Sequence, residues 1–496
     1  MTLLPEVRKH YGKLKFFIDG EWVEPKSDKY APVTNPATGE VIAEVPFATD
    51  EEINMAAEAA QRGFEKWRNT PLRDRARIMW NYRAKFDEHF DELCRVLTQD
   101  HGRTIDESRG SVRRCIENEE SACASMHSTI LGTHVVQLAT GIDQYRIWEP
   151  MGVFLIIPPF NIPMHAISSF VPYALACGCS VIVSPSRQCP VSADVTFKVM
   201  EEVEGFPSGV FNLLHGGRTI NNKILSHPLV KGVGFIGSSA VGKELFELCG
   251  KLHKVSSLNG NGKNHVVIMP DADDLDKGVQ YLLRGCFGMT GQRCLGTDQV
   301  VIMGDDRRYE EVKKKFAEAA AAMKLGYGLD ESVELGPLTT QSGKDKVLRW
   351  IDMGLKEGAK IVLDGRNPKV AGYPNGYFLA PTIMENVTPD MNISQEEAFG
   401  PVANLLKSND LDEVIKWINA TAGGHSAALI TSSQKSARKF IREVDVGNVS
   451  INAGVAQPYA FFPMGSRRDA FLGMGKSRAD SFRLFMDQKT VIERWV

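Results

Sequence analysis

The sequence lacks the features that mark a partner of nucleic acids or membranes. Its 58 lysine and arginine residues are balanced by 61 aspartate and glutamate residues, for a formal net charge of −3. No basic block stands out, so neither nucleic acid nor an anionic membrane is a predicted partner. No apolar run approaches the roughly 18 residues of a membrane span, and the N-terminal residues lack the apolar stretch of a signal peptide. We therefore expect a soluble, cytoplasmic protein.

Cysteine is scarce and scattered. The nine cysteines show neither the spacing of a disulfide framework nor that of a zinc site, and only Cys177 and Cys179 lie close together. We expect no bound metal and a reducing compartment in which thiols stay free. The chain also has no internal repeat and no linker rich in proline, glycine or serine. Its 496 residues therefore predict two or three closely packed units.

The N-terminal part is predicted to begin with strands and to continue with helices. Residues 16–23 are typical of two short strands around an Asp-Gly turn, and residues 35–39 of a second turn. Over residues 53–67 and 76–97 apolar residues recur every three or four positions, which indicates amphipathic helices. A third helix is expected to carry residues 111–118.

From residue 152 onward, short continuous apolar runs alternate with helical stretches. Such runs are typical of strands that are buried on both faces of a parallel sheet. They cover residues 152–157, 180–184, 233–236, 265–269, 299–303 and 448–452. The alternation predicts an α/β fold with two successive units and a ligand at the carboxyl ends of the strands.

Residues 232–237 match the dinucleotide-binding pattern G-x-G-x-x-G, but we interpret this match as accidental. Its glycines fall on strand residues, whereas the pattern requires them in the turn after the strand. The functional turn is better placed at residues 237–242. There Gly237 and Ser238 would open a helix whose N-terminus can face a pyrophosphate.

The segment 287–296 (FGMTGQRCLG) carries a candidate nucleophile. Cys294 follows Arg293 in a polar, glycine-rich stretch after a helical pattern. An accessible thiol in a positive field favours the thiolate, which is the reactive form. Most cysteines are instead buried and inert, so the assignment of Cys294 depends on the motifs around it.

Four motifs occur in order along the chain: residues 158–163 (PPFNIP), 257–265 (SLNGNGKNH), 287–296 and 395–401 (QEEAFGP). With these motifs the chain resembles the aldehyde dehydrogenase superfamily from about Phe17 to the C-terminus. Its Gly-Gln-Arg-Cys and Gly-Lys-Asn-His sequences are similar to those of the methylmalonate-semialdehyde dehydrogenase branch.

The resemblance implies an aldehyde dehydrogenase fold of the α/β class. Residues 1–128 and 149–258 would form a Rossmann-like NAD(P)-binding domain, and residues 259–462 an α/β catalytic domain. Residues 129–148 and 463–496 would form a β oligomerisation arm that pairs with a neighbouring subunit. A homodimer and a homotetramer both remain open.

The resemblance also implies the chemistry. Cys294 would attack the aldehyde, while the Asn161 side chain and the Cys294 backbone N–H bind the oxyanion. Hydride would pass to the nicotinamide and leave a thioester. Most superfamily members then activate water with a glutamate, but that position falls on Asn259 here, which cannot take a proton. The branch also lacks this glutamate and releases its thioester to coenzyme A. Because residues 259–262 permute the usual order before Lys263, the register of Asn259 stays open.

Two arginines bear on the substrate. A semialdehyde carries a carboxylate, which a planar guanidinium can bind through two hydrogen bonds. Arg114 and Arg293 match the two arginines that the branch uses for this purpose. Arg113 is the alternative to Arg114 if the register differs by one residue.

The adenosine end of the cofactor site departs from the superfamily. Where other members have Lys-Pro-Ser-Glu, this chain has a serine at Ser184, a second at Ser186 and an arginine at Arg187. Loss of the carboxylate and gain of Arg187 favour the 2′-phosphate of NADP. Alternatively, Arg187 points to solvent and the enzyme prefers NAD. The other cofactor-binding residues implied by the resemblance are Phe160, Gly237, Ser238, Phe399 and Glu397, the last as a ligand of the nicotinamide ribose.

Three functions fit these residues. The leading one is NAD(P)-dependent oxidation of malonate or methylmalonate semialdehyde, or a similar small carboxylated aldehyde, to an acyl-coenzyme A. The second is a hydrolytic aldehyde dehydrogenase that yields a free acid. The third is a structural or binding protein without turnover, and the joint presence of Cys294, Asn161 and Glu397 argues against it.

Overall fold

Two large sheets organise the protein in its computed structural model, which describes residues 3–495. The strands are β1 (Phe16–Ile18), β2 (Glu21–Val23), β3 (Tyr30–Thr34), β4 (Val41–Pro46), β5 (Thr133–Ala139), β6 (Ile142–Pro150), β7 (Val153–Ile157), β8 (Ser180–Val183), β9 (Phe211–Leu213), β10 (Val230–Ile236), β11 (Val255–Asn259), β12 (Asn264–Ile268), β13 (Thr297–Met303), β14 (Lys360–Leu363), β15 (Thr382–Glu385), β16 (Val402–Ser408), β17 (Gly423–Gly424), β18 (Ser426–Ile430), β19 (Asn448–Ile451), β20 (Arg467–Arg468), β21 (Phe471–Gly473) and β22 (Met486–Arg494).

Helices connect most of these strands. The α-helices are α1 (Asp50–Arg68), α2 (Leu72–Glu88), α3 (Phe90–His101), α4 (Ile105–Ser125), α5 (Pro163–Ser168), α6 (Val171–Cys177), α7 (Val191–Glu201), α8 (Arg218–Ser226), α9 (Ser239–Leu252), α10 (Leu275–Phe287), α11 (Asp306–Ala321), α12 (Gln341–Lys356), α13 (Asn392–Gln395), α14 (Leu411–Ala420), α15 (Gln434–Glu443) and α16 (Phe482–Phe485). Short 3₁₀ turns cover Gly288–Gly291 and Arg478–Asp480.

The first sheet has eight strands in the order β2-β1-β9-β8-β7-β10-β11-β21. The five central strands are parallel, and antiparallel strands border them on both sides. Alternate residues of Val153–Ile157 pack into two different core clusters, one on each face of the sheet, so the strand is apolar throughout. The strands predicted at residues 152–157, 180–184 and 233–236 are confirmed, the last beginning at Val230.

The second sheet has seven strands in the order β14-β15-β16-β13-β12-β18-β19. All neighbours are parallel except β14 and β15. The strands predicted at residues 265–269, 299–303 and 448–452 are confirmed within two residues. The carboxyl ends of both parallel sheets therefore offer places for the predicted ligand.

A third sheet joins the extended segment before β7 to the C-terminal strand. β6 pairs with β5 on one side and with β22 on the other, in antiparallel register from Met486 opposite Pro150 to Arg494 opposite Ile142. β5 is exposed along its length. Its pairing with another subunit stays a prediction, as does the division into domains. β21 belongs to the first sheet although it lies within residues 463–496.

The helical stretch predicted at residues 76–97 is divided in two. α2 ends at Glu88 and α3 begins at Phe90, with a break at His89. The apolar spacing continues across the break because both helices pack on one core cluster. The next helix, α4, includes the predicted residues 111–118 and starts with a capping box between Thr104 and Glu107. Between Leu3 and Trp495, no helix has both the length and the apolar character needed to cross a bilayer.

Candidate active site

A cavity of 480 Å³ lies at the carboxyl ends of the central strands of the first sheet. Ile157 at the end of β7, Pro185 beyond β8 and Ile236 at the end of β10 line its wall. At its far end the cavity reaches Cys294. A ligand at this edge of a parallel sheet is the predicted arrangement, and an elongated dinucleotide fits it.

The turn after β10 lines the same cavity through Gly237 and Ser238. Ser238 is the N-cap of α9, and its hydroxyl oxygen accepts from the Val241 N–H at 3.4 Å. Gly232 and Gly234 lie inside β10, as the interpretation of the accidental match required. The N-terminus of α9 therefore stands where a pyrophosphate would benefit from its dipole.

The predicted adenosine-end residues differ in how they reach the cavity. Ser186 and Arg187 line it directly, and the Arg187 guanidinium lies 5.1 Å from the Phe47 ring centroid. Ser184 is buried behind the wall, and its hydroxyl donates to the side-chain Oδ1 of Asn221 at 2.6 Å. Asn221 lines the cavity, so any effect of Ser184 on a ligand passes through this asparagine. The sequence motifs did not point to Asn221.

Two phenylalanines and a glutamate line the end of the cavity near the thiol. The Phe160 and Phe399 rings meet edge to face at 5.8 Å, and Phe399 has a φ of 59°. Glu397 accepts from the Asn261 side-chain amide at 2.7 Å. Burial, reinforced by the nearby Asp298, raises the pKa of Glu397 to about 8. This glutamate is therefore largely protonated at neutral pH.

The cysteine loop is held by unusual backbone conformations and by buried hydrogen bonds. Met289 and Thr290 have φ values of 53° and 55°, in the left-handed region that residues other than glycine rarely adopt. Thr290 donates its hydroxyl to the Gly336 carbonyl at 2.9 Å. The Asn264 side chain donates to the Cys294 carbonyl at 2.7 Å. These contacts fix the backbone of the loop that carries Cys294.

The electrostatics of Cys294 correct one expectation. Its side chain is partly exposed, whereas the other eight cysteines are buried. Burial of the thiol, followed by the charge of Glu397, raises the pKa of Cys294 to about 11, although Arg293 and Arg478 lower it. Arg293 thus acts in the expected direction, but the expectation that the surroundings of Cys294 as a whole favour the thiolate is wrong for the free protein. Desolvation outweighs the neighbouring positive charges.

Asn161 lies between two cavities that meet at Cys294. Its side-chain nitrogen donates to the Gln292 carbonyl at 2.9 Å, which leaves the second N–H of the amide available. The backbone carbonyl oxygen of Asn161 accepts a hydrogen bond from the buried Arg103 guanidinium. The position suits the predicted oxyanion role.

The second cavity, of 230 Å³, brings both predicted substrate arginines together with Cys294. Arg114 projects from α4, pairs with Glu117 at 2.5 Å and lies 4.2 Å from the Tyr459 ring centroid. Arg293 donates to the Arg284 carbonyl at 3.2 Å. Arg113 is exposed, lies over the Phe90 ring, and does not line this cavity. The geometry thus favours Arg114 over its alternative.

Two residues that the sequence motifs did not reveal also line this cavity. Arg103 is 1% exposed, and its Nε and Nη1 atoms have no hydrogen-bond partner among residues 3–495. Burial, together with the charge of Arg478, holds the pKa of His165 well below its usual value. Only long-range packing brings these side chains to Cys294, so spacing along the chain offers no signal for them.

Asn259 ends β11 and lines a small cavity of 20 Å³ beside Cys294. It is 3% exposed, and neither atom of its amide has a partner in the described part of the chain. Asn261, by contrast, is turned toward Glu397. Asn259 is therefore the residue of this segment that shares the small cavity with Cys294. Nowhere from residue 3 to 495 do three or more His, Cys, Asp or Glu side chains form a group that could hold a metal ion.

A dinucleotide-sized cleft that meets a second cavity at one partly exposed thiol defines an oxidoreductase of the covalent, thiol-dependent class. Residues 22–491 match the aldehyde dehydrogenase family, and the chain belongs to this family.

Among curated proteins, the chain is 38% identical to malonate-semialdehyde dehydrogenase 2 of Geobacillus kaustophilus over 484 residues, which cover 97% of this chain and 99% of that one. Two solved structures are also similar. The methylmalonate-semialdehyde dehydrogenase of Oceanimonas doudoroffii has a TM-score of 0.95 at 32% identity, covering 98% of this chain and 99% of that one. A protein of Sinorhizobium meliloti 1021 in complex with NAD, provisionally described as a methylmalonate-semialdehyde dehydrogenase, has a TM-score of 0.95 at 30% identity, covering 98% of each chain. The predicted family and fold are confirmed.

Proposed function

We propose that the protein oxidises a small aldehyde that carries a carboxylate, of the malonate or methylmalonate semialdehyde kind, and transfers the acyl group to coenzyme A. One observation supports the substrate class most directly. The cavity on one side of Cys294 is lined by Arg103, Arg114 and Arg293 and by a single carboxylate, Glu107. Such an excess of guanidinium groups favours an anionic substrate. The names of the similar proteins agree with this class.

NAD or NADP fits the cleft at the carboxyl ends of β8, β7 and β10, where Gly237 and Ser238 would face the pyrophosphate and Glu397 the nicotinamide ribose. The bound nucleotide supplies the acceptor for the hydride that leaves the substrate carbon. Cys294 attacks the carbonyl after loss of its proton, and the free N–H of Asn161 donates to the developing oxyanion. One such donor typically lowers the barrier by about 3 kcal/mol.

Release of the thioester depends on what surrounds Cys294. Asn259 offers no base, and His425 is bonded at both ring nitrogens, to Ser466 and to the Gly260 carbonyl. The lowered pKa of His165 makes it a weak base. No residue lining the 20 Å³ cavity between Asn259 and Cys294 is therefore suited to activate water. A thiol is nucleophilic without such help once it ionises, which supports coenzyme A as the acceptor.

Steady turnover with malonate semialdehyde is expected to require coenzyme A. Without it, reduced nucleotide should form in a burst of about one equivalent per active site and then stop, because the thioester persists. Asn259→Glu should introduce turnover to free acid without coenzyme A, and Asn259→Gln serves as the control that keeps an amide. Rapid wild-type turnover to free acid in the absence of coenzyme A would contradict the acyl-transfer proposal.

We also infer a homodimer or homotetramer in the cytoplasm. β5 leaves Val136 and Leu138 exposed at 64% and 55%, an apolar surface that a second subunit could cover. The nine free thiols are consistent with a reducing compartment. The proposed division into a nucleotide domain, a catalytic domain and an arm follows the three larger sheets, except that β21 joins the first sheet. Sedimentation of the purified protein would measure the oligomeric state.

A further inference from the structure

An arginine from the C-terminal segment also lies beside the nucleophile. Arg478 begins a 3₁₀ turn and is 3% exposed. Its φ of 70° falls in the left-handed region, which residues other than glycine rarely adopt unless surrounding contacts stabilise that conformation. It lines the 20 Å³ cavity together with Cys294, Asn259 and His165. The guanidinium is thus buried next to the thiol by a residue with an uncommon backbone conformation.

Arg478 has no counter-ion in the described part of the chain. Its Nη1 donates to the Pro458 carbonyl, and its Nη2 lies 3.5 Å from the His165 Nε2 atom. Lys263, another buried cation near the site, pairs with Asp298 at 2.6 Å. Burial lowers the pKa of Arg478 to about 10, so the group is still charged at neutral pH. A buried charge without a partner is costly, and an anionic ligand would offset that cost.

The length of the substrate decides which arginines can reach its carboxylate. When a three-carbon semialdehyde is attached to Cys294, two carbon–carbon bonds place the carboxylate carbon roughly 4 Å from the sulfur. The anion must therefore lie close to the thiol. Arg114 already has a carboxylate partner in Glu117, and Arg293 is bonded to a backbone carbonyl. Arg478 lines a cavity that includes Cys294 and, in the described part of the chain, has no carboxylate partner.

We propose that Arg478 binds the carboxylate of the substrate and is a third determinant of selectivity for carboxylated aldehydes. This inference rests on the proposed function, because it assumes an anionic substrate. It assigns to the C-terminal segment a direct part in substrate binding. His165 lines both the 20 Å³ cavity and the 230 Å³ cavity. It would orient the Arg478 guanidinium by accepting its hydrogen bond.

The first test compares the kinetics of Arg478→Gln with those of the wild type, using malonate semialdehyde and propanal as substrates. We expect kcat/KM for the semialdehyde to fall ten- to a hundredfold, which is typical of lost hydrogen bonds to a charged group, and mainly through KM. The value for propanal should change less than threefold. Arg478→Lys should recover part of the loss. Arg483→Gln is the matched control, since Arg483 is 64% exposed and pairs with Asp480.

The second test needs neither turnover nor coenzyme A. Cys294 is alkylated with iodoacetate and with iodoacetamide, which differ in charge, and the ratio of the two rates is compared with that of glutathione. The wild-type ratio should favour iodoacetate, and Arg478→Gln should lower it at least fivefold. Any change in the pKa of Cys294 affects both reagents alike and cancels in the ratio. A variant whose structure is merely perturbed would also lose both rates together.

The outcomes separate this inference from the function on which it rests. If the wild type prefers the semialdehyde and Arg478→Gln keeps both this preference and the alkylation ratio, the role of Arg478 is refuted while the substrate class stands. If the wild type shows no preference in either test, both proposals fail. Coenzyme A dependence is measured separately, so its absence alone would leave the role of Arg478 intact.

Discussion

Replacement of Arg114 by alanine should change substrate selectivity more than stability. Arg114 lines the cavity beside Cys294, and its side chain is 25% exposed. Its pair with Glu117 links two partly exposed side chains on one helix, and such pairs contribute about 0 to 1 kcal/mol to folding. The variant should therefore fold. What it loses is a guanidinium that can donate to the substrate carboxylate.

The size of the kinetic effect follows from the charge of the partner. Hydrogen bonds to a charged group contribute about 1.5–3 kcal/mol, which corresponds to a ten- to hundredfold loss in kcat/KM. The lower part of this range is expected, because Arg114 must partly leave Glu117 to bind the substrate and because Arg293 and Arg478 remain. Propanal has no carboxylate, so its kcat/KM should change less than threefold.

The assay follows nucleotide reduction with both aldehydes at saturating cofactor and coenzyme A. Arg113→Ala is the matched control, because Arg113 is the neighbouring arginine on the same helix but lies over Phe90, outside the cavity. It should behave like the wild type with both substrates. Equal losses for both aldehydes in Arg114→Ala would show that this arginine supports only the helix. Selective loss in Arg113→Ala instead would refute the placement of Arg114.

Three further predictions concern two residues of the cofactor cleft. The wild type should use NADP at least as well as NAD, and Arg187→Glu should raise KM for NADP about tenfold or more while sparing NAD, since a carboxylate repels the 2′-phosphate. A strong wild-type NAD preference that this change leaves unaltered would show that Arg187 takes no part. Glu397→Gln should speed alkylation of Cys294 by iodoacetamide above pH 8 only, because Glu397 has a pKa of about 8 and its charge raises the pKa of the thiol. Burial raises the pKa of Glu397 above the value that this group has in the unfolded chain. The contribution of Glu397 to the free energy of unfolding therefore falls as the pH rises to about 8. Between pH 5 and pH 8, the Tm of Glu397→Gln should therefore fall less than the Tm of the wild type. An equal fall of Tm with pH in both proteins would argue against a buried Glu397.

The local order of the chain could be predicted because it depends on neighbouring residues. Runs such as residues 152–157 are apolar at every position, and their short length is typical of strands that are covered on both faces. Their alternation with helices predicted a ligand cleft at the strand ends, and the motif around Cys294 pointed to this residue as the candidate nucleophile. The sequence did not predict the break at His89, because the apolar spacing continues across this residue although the helix is interrupted there.

What surrounds the thiol was decided by packing between distant segments. Arg103, His165 and Arg478 belong to three separate parts of the chain, and only the folded protein brings them to Cys294.

The pKa of Cys294 also depends on packing between distant segments. Arg293 is its neighbour in sequence, but the burial that raises the pKa comes from the whole surrounding structure. The amino-acid sequence by itself therefore determined the strands and the place of the cleft, and it singled out Cys294 as the candidate nucleophile. The tertiary structure decided the protonation of that thiol and the charges that a substrate would meet, because desolvation and long-range contacts exist only after the chain has folded.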